Sequence, residues 1–461
     1  MKRRRVEEDA LGKKFLPADA YYGIQTARAR ENFPISGRTL PHEMVVAMAQ
    51  IKYAAAKTHR ELKLLKPGVA QAIMKASLEI IRGGLKNQFV VDIYQAGAGT
   101  SFNMNVNEVI ANRAIEILRG KRGDYRLANP NDHVNKAQST NDAVPTAIRL
   151  AALPLLENLE KSLKRLESSF HQKAAAFHPI VKSARTHLQD AVPIRLGRDF
   201  KAFERMVRQS RKRIQKARED LYVLNIGGTA AGTGLNAHPR YRGKVVRTLR
   251  SLTGYPVREA EDLVAIMQNM ADFLNASSAL RLLAVDLTKI ANDLRLLSSG
   301  PQTGFGEIIL PPVQPGSSIM PGKVNPVICE MTNMVAYQVI GHDLALMMAA
   351  QAGQLELNVM MPLIAYTLLE STKILTNCTV TLAVRCIDGI RADREQCRLY
   401  ADKTVSLATA LTPHIGYLKA AKIVKEAVRT RRPIREVAEK MSGLSPEKVR
   451  KILDPMKLAG D

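Results

Sequence analysis

The stretch "QPGSSIMPGKVNPV", Gln314–Val327, interrupts a chain otherwise patterned for long helices. Between Gly300 and Pro326, six prolines and five glycines fall within 27 residues, a density that neither a helix nor a strand tolerates. A loop of that length inside a compact protein is either functional or disordered. A nucleotide phosphate loop is excluded by spacing, because five residues separate Gly316 from Gly322 and Val324 stands where Ser or Thr would bind magnesium. What remains is a pair of hydroxyls (Ser317, Ser318), a cation (Lys323) and an amide (Asn325), a set suited to closing over an anionic substrate. The plainer alternative is a decorated linker.

Helical rhythm surrounds this loop. Between Pro256 and Gly300, the residues Ile266, Met270, Phe273, Ser277, Leu280, Ala284, Leu287, Ala291 and Leu294 step by four and three. That spacing predicts one continuous helix of roughly 60 Å. Similar periodicity runs from about Thr146 to Phe177 and from Glu330 to Ile390, where Pro362 should break or kink it. Stripes this long exceed what one copy covers, so a bundle of long helices in a homo-oligomer is expected. Residues 1–138 are shorter-segmented, with "PISGRTLP", "KPG" and "RGKRGDYRLANPND", and read as a mixed, mainly helical domain. The bundle then covers 139–393 and a small helical domain 394–461. In the last, "MSGLSPE" separates two short helices, with Gly443 suited to a helix end and Ser445-Pro446 to the next start. A DNA-binding helix-turn-helix has a similar outline, but nothing marks the second helix as a groove reader.

Composition narrows the function classes. The 461 residues are 46% hydrophobic and 24% charged, enough for a substantial core. No apolar run approaches the roughly 20 residues that cross a bilayer, and "MKRRRVEED" leads into polar sequence, so a soluble cytoplasmic protein is expected. Cys329, Cys378, Cys386 and Cys397 match neither zinc nor redox spacings and read as free thiols. The formal net charge is +25. From Arg195 to Arg250 there are 15 Lys and Arg against four acids. Phe203, Val207, Ser210, Ile214, Ala217, Leu221 and Leu224 nevertheless form a helical stripe from which Lys201, Arg205, Arg208, Lys212 and Lys216 are excluded. A solvated helix face is therefore preferred to a nucleic-acid surface, since no aromatic residues interleave the charges.

Three further clusters place small polar residues at helix starts. "AGAGTSFNMNVNEV" sets Thr100 and Ser101 behind glycines, where N–H groups and hydroxyls can converge on a carboxylate. "QSTNDAVP" sets Ser139, Thr140 and Asn141 before a helix, with Asp142 or Thr140 as N-cap. "ARTHLQDAVP" supplies Thr186 and His187. Each alone reads as ordinary capping.

Together the blocks resemble the aspartase and fumarase superfamily: "GSSIMPGKVNP" is similar to its signature loop, and "GAGTSFNMNVNEV", "QSTNDA", "RTHLQDA" and "GGTAAGTGLNA" to its other shared segments. The similarity runs from "PADAYYGIQTARARENFPISG" to "GYLKAAKIVKEA" and "LDP", essentially the whole chain. This resemblance implies a mainly α, three-domain aspartase/fumarase-like fold with a central long-helix bundle, a homotetramer, and sites assembled from three subunits. It implies reversible elimination from a succinyl skeleton to fumarate, with Ser317 as general base. It further implies that Thr100, Ser139, Thr140 and Ser318 bind the carboxylate beside the reacting carbon. Lys323 and Asn325, with Thr186 nearby, would hold the other carboxylate, and Asn141 and His187 would face the leaving group. "AGAGTS", "QSTNDA" and "LNIGGTAAGTGLNA" resemble the aspartase branch, which takes L-aspartate to fumarate and ammonia. His187 is usual in fumarases, so L-malate stays open as substrate, and a non-catalytic binding scaffold stays open as a different class. No motif demands a metal, flavin, nicotinamide or phosphate cofactor.

Overall fold

The computed structural model describes residues 4–460 and is built mainly of α-helix. Strands β1 (Arg4–Asp9) and β2 (Gly12–Pro17) form an antiparallel hairpin. Helices α1 (Ile24–Asn32), α2 (His42–Glu61), α3 (Pro67–Ile81) and α4 (Thr100–Ile117) precede the 38-residue α5 (Thr140–Phe177). A second antiparallel hairpin, β3 (Val181–Thr186) and β4 (Gln189–Arg195), leads into α6 (Leu196–Asp220). Next come α7 (Tyr241–Thr253), α8 (Leu263–Gln268), α9 (Ala271–Leu297), α10 (Val327–Gln351) and α11 (Met361–Arg385). Helices α12 (Arg394–Lys403), α13 (Thr412–Ile415), α14 (Tyr417–Thr430), α15 (Ile434–Met441), α16 (Pro446–Ile452) and α17 (Pro455–Leu458) close the chain.

The long helices appear where the periodicity places them, with one correction. The expected single helix from Pro256 to Gly300 is divided: α8 ends at Gln268, and α9 starts at Ala271, whose N–H is accepted by the Asn269 side chain at 2.8 Å. The side-chain cap replaces the intrahelical partner and starts a new helix, although the apolar stripe continues through Met270 and Phe273. Near Pro362 the chain is broken as expected; α10 stops at Gln351, and the proline sits in the first turn of α11, where its missing N–H costs nothing. The α6 stripe is buried from Phe203 to Leu224, while Lys201, Arg205, Arg208, Lys212 and Lys216 are exposed.

Chain contacts gather into two units whose boundaries fall inside α5, α6, α9, α10 and α11. The first comprises the chain through Glu160 with Lys212–Leu282 and Tyr337–Leu375. Its core packs α2, α3, α4 and α7 around Met48, Ile51, Ile73, Ile110 and Val245. Within it Arg149 is fully buried, its guanidinium 3.1 Å from Asp272 and stacked 4.5 Å over the Phe273 ring.

The second unit comprises Lys161–Arg211, Leu283–Ala336 and the chain from Thr376 onward. Phe170, Phe177, Phe200 and Phe203 cluster between α5 and α6, three of their pairs edge-to-face at 5.0–5.8 Å and Phe170–Phe200 tilted at 6.4 Å. The C-terminal helices close around their own core of Leu411, Ile423, Ile434, Val449 and Leu453. There Gly443 takes φ +76° after α15, and Ser445 caps α16 by accepting Lys448 N–H, matching the expected boundary. Buried Glu307 accepts a hydrogen bond from Arg185 of β3 and forms an ion pair with Lys182 of the same strand, each at 2.8 Å, and so ties the second hairpin to the segment preceding the proline-rich loop.

Candidate active site

In the first unit, Gly97, Ala98 and Gly99 all take positive φ, turning the chain sharply so that Thr100 begins α4. The Thr100 hydroxyl donates to Gly97 O at 2.6 Å and lies 3.1 Å from Thr140 Oγ1, which also accepts from Asn103 Nδ2 at 3.3 Å. The cap of α5 is neither Asp142 nor Thr140, as expected from sequence, but Ser139, whose Oγ accepts Asn141 N–H at 3.2 Å. Asp142 reaches back to accept Ser139 N–H at 2.9 Å, completing a capping box. Its second oxygen accepts Gly227 and Thr229 N–H at 2.9 and 3.0 Å, and Asn141 Nδ2 donates to Ala230 O at 2.8 Å. "QSTND" and "GGTAAG" thus hold each other.

Beneath this cluster lies a cation that sequence reasoning missed. Lys52 Nζ is fully buried and donates to Asn103, Asn135 and Gln138 side-chain oxygens, each at 2.9 Å. Three acceptors require three N–H donors, which only the ammonium has. Burial pushes the Lys52 proton affinity down to about 7 despite the attraction of Asp142, and burial pushes Asp142 up to about 7 despite its three backbone donors and Lys52. The available signal was a lysine inside the buried helical stripe "MAQIKYAAAK".

In the second unit, Thr186 and His187 do not precede a helix, as expected, but sit at the exposed tip of the β3–β4 hairpin, where His187 and Leu188 take φ +53° and +62°. The loop is compact. Gly316 N–H donates to Lys323 O and Asn325 Nδ2 donates to Gly316 O, both at 2.7 Å. Ser317 Oγ accepts from Ile319 and Met320 N–H at 3.2 and 3.0 Å, while Ser318 and Lys323 are exposed. Among the described residues no hydrogen bond joins the hairpin tip to this loop, and no group of three His, Cys, Asp or Glu is placed to hold a metal. The structure therefore brings Thr100, Ser139, Thr140 and Asn141 together, brings Ser317, Ser318, Lys323 and Asn325 together, and presents Thr186 and His187 separately.

The family model described as "Lyase" matches residues 12–341, and the one described as "Fumarase C C-terminus" matches residues 407–460. The chain belongs to the aspartase and fumarase superfamily of lyases. Among superfamily relatives, the aspartate ammonia-lyase of Bacillus subtilis is 48% identical over 99% of this chain and 96% of its own length. That of Pseudomonas aeruginosa is 48% identical over 98% and 96%, and that of Escherichia coli 46% over 94% and 91%. Superfamily structures superpose closely. The cobalt-bound "fumarate lyase:delta crystallin" of Brucella melitensis is 48% identical, with TM-score 0.96 and complete coverage of both chains. A class II fumarase from Schistosoma mansoni, 39% identical over 99% of both chains, reaches the same TM-score of 0.96. Shape alone does not divide ammonia-lyase from fumarase within the superfamily.

Proposed function

We propose that the protein is an aspartate ammonia-lyase, releasing ammonia from L-aspartate to give fumarate, with Ser317 as general base. The observation that carries the mechanism is the pair of backbone N–H groups donated to Ser317 Oγ. A free serine hydroxyl is far too weak an acid to be a base at neutral pH. Two donors already aimed at its oxygen stabilise the alkoxide rather than the alcohol. The alkoxide takes a proton from the carbon beside one carboxylate, leaving a doubly charged aci-carboxylate; its electron pair then expels ammonia from the neighbouring carbon and forms the double bond. Thr100, Ser139, Thr140 and Ser318 receive the developing charge in this scheme, Lys323, Asn325 and Thr186 hold the second carboxylate, and Asn141 and His187 attend the leaving nitrogen.

The same proposal includes a homotetramer with composite sites. Its support is the exposed apolar row of α10, where Met334, Tyr337, Leu344, Met347 and Met348 are all solvent-facing in the single chain. The division into 1–138, 139–393 and 394–461 belongs to it too, supported by the starts of α5 at Thr140 and α12 at Arg394. A cytoplasmic location fits four buried cysteines that remain free thiols. Among the described residues no helix is long and apolar enough to cross a membrane.

Fumarate absorbance tests the activity. L-Aspartate should turn over far faster than L-malate, and Ser317→Ala should lower kcat by about 10³-fold or more with assembly intact. Preferred turnover of malate would reassign the chain to fumarase; near-normal Ser317→Ala would remove the base.

A further inference from the structure

We propose that a cavity in the C-terminal part of the second unit binds a compact, multiply charged anion of the phosphate class. The cavity, about 680 Å³, opens between the root of β3, helices α12 and α15, and the α16–α17 corner. Its floor is apolar, with Ile180, Val181 and Ala401 buried. Four guanidinium groups line it from three helices: Arg394 and Arg398 on α12, Arg435 on α15 and Arg450 on α16. Only two carboxylates, Asp402 and Asp454, share the lining, leaving a formal excess of two positive charges.

Those carboxylates leave most of the donors unused. Asp454 is engaged as the cap of α17, accepting Met456 N–H at 3.0 Å. Asp402 stands 3.7 Å from Arg398 Nε and 3.9 Å from Arg435 Nη2, close enough for Coulomb attraction but too far for hydrogen bonds. Arg435 Nε is buried without a hydrogen-bond partner, and its Nη2 meets only Leu453 O, at 3.4 Å. Arg394 has no ion-pair or hydrogen-bond partner among the described residues. Arg450 alone is firmly paired, to Glu439 outside the cavity at 3.0 Å. On α6, by contrast, Lys201 and Arg208 are both ion-paired with Glu204.

Four arginine forks lining one cavity with a partly apolar floor suit a tetrahedral oxyanion, whose oxygens can each accept N–H bonds from such forks. An isolated buried Nε–H also lacks the partner that such an oxygen would provide. A linear dicarboxylate spreads its charge over two ends and fits the arrangement less well. This site is independent of the catalytic proposal, and its test reads binding alone.

Titration calorimetry of the full-length protein with sodium pyrophosphate at fixed ionic strength decides it. The expected result is saturable binding, one per chain, weakened about tenfold or more in Arg394→Gln/Arg398→Gln and unchanged in Lys212→Ala/Lys216→Ala on the exposed α6 face. Heats that never saturate, an affinity within about twofold of wild type in the arginine variant, equal loss in the lysine variant, or succinate binding more tightly than pyrophosphate would each overturn the proposal. The Arg398 side chain is 85% exposed, so the double variant should fold; if its melting temperature drops, Arg394→Gln alone carries the same comparison.

Discussion

Asn325 and Gly316 close the proline-rich loop on itself: the Asn325 amide donates to Gly316 O at 2.7 Å, and a Cβ on Gly316 would lie 2.6 Å from Asn325 N. The ten residues 316–325 are thereby folded into a tight ring that presents Ser317. The glycine is required by proximity, since its two nearest neighbours there, Asn325 N and Lys323 O, are backbone atoms that cannot swing aside.

Gly316→Ala should therefore open the ring without unfolding the protein. Because the ring lies on an exposed loop, the melting temperature should move by no more than about 2 °C, whereas kcat/KM for L-aspartate should fall by about 100-fold or more. Full activity in this variant would show that the ring geometry does not position the base.

Lys52→Met tests the buried cation and its coulombic coupling to Asp142. The substitution leaves three amide oxygens without their donor and removes the nearby cation from Asp142, a loss of about 3 kcal/mol or more at about 1–3 kcal/mol for each buried group left unpaired. Its pH dependence follows from the shifts. Asp142, raised from 3.8 to about 7, holds its proton longer in the folded state, so its contribution falls as pH rises between those values. Lys52, lowered from 10.5 to about 7, loses its proton earlier in the folded state, so its contribution rises with pH from 7 to 10.5. The variant lacks that rising arm, and Asp142 without Lys52 is pushed higher still, extending the falling arm. The deficit in urea stability relative to wild type should be larger at pH 9 than at pH 6; equal deficits would deny the coupling.

What the sequence made legible was local. Ser445-Pro446 and Gly443 mark a helix boundary because capping depends on residues within one turn, and the α6 stripe sorted its lysines outward because period alone does that. The break at Asn269 was hidden because the apolar spacing continues across it, while a single side-chain hydrogen bond decides it. Lys52 was hidden for the opposite reason. Its three acceptors lie 51, 83 and 86 residues away, and no local pattern announces them. The candidate site residues stand out in the sequence as blocks, through their resemblance to the superfamily's shared segments; which blocks would meet was not legible.

Leu344→Glu addresses assembly. Leu344 is 56% exposed on α10 amid other exposed apolar side chains, so a charge there should be tolerated by the single chain but not by a buried subunit contact. Light scattering should show smaller species for the variant at micromolar concentration while helical content persists. An unchanged mass would remove this face from the interface.

Subunit complementation tests whether the polar clusters are completed in trans. Thr100→Val and Ser317→Ala each remove one hydroxyl from a different cluster, and each alone should be inactive. If Thr100 and Ser317 serve one site from different chains, random mixing of the two variants by unfolding and refolding gives hybrids in which about a quarter of sites draw both wild-type residues. About a quarter of wild-type activity should then return. If both residues come from the same chain, every site in every hybrid keeps one defect, because each chain carries either the threonine or the serine lesion. Activity would then stay at the level of the separate variants. A refolded wild-type control fixes the recoverable maximum, so poor refolding is not mistaken for absence of trans contributions.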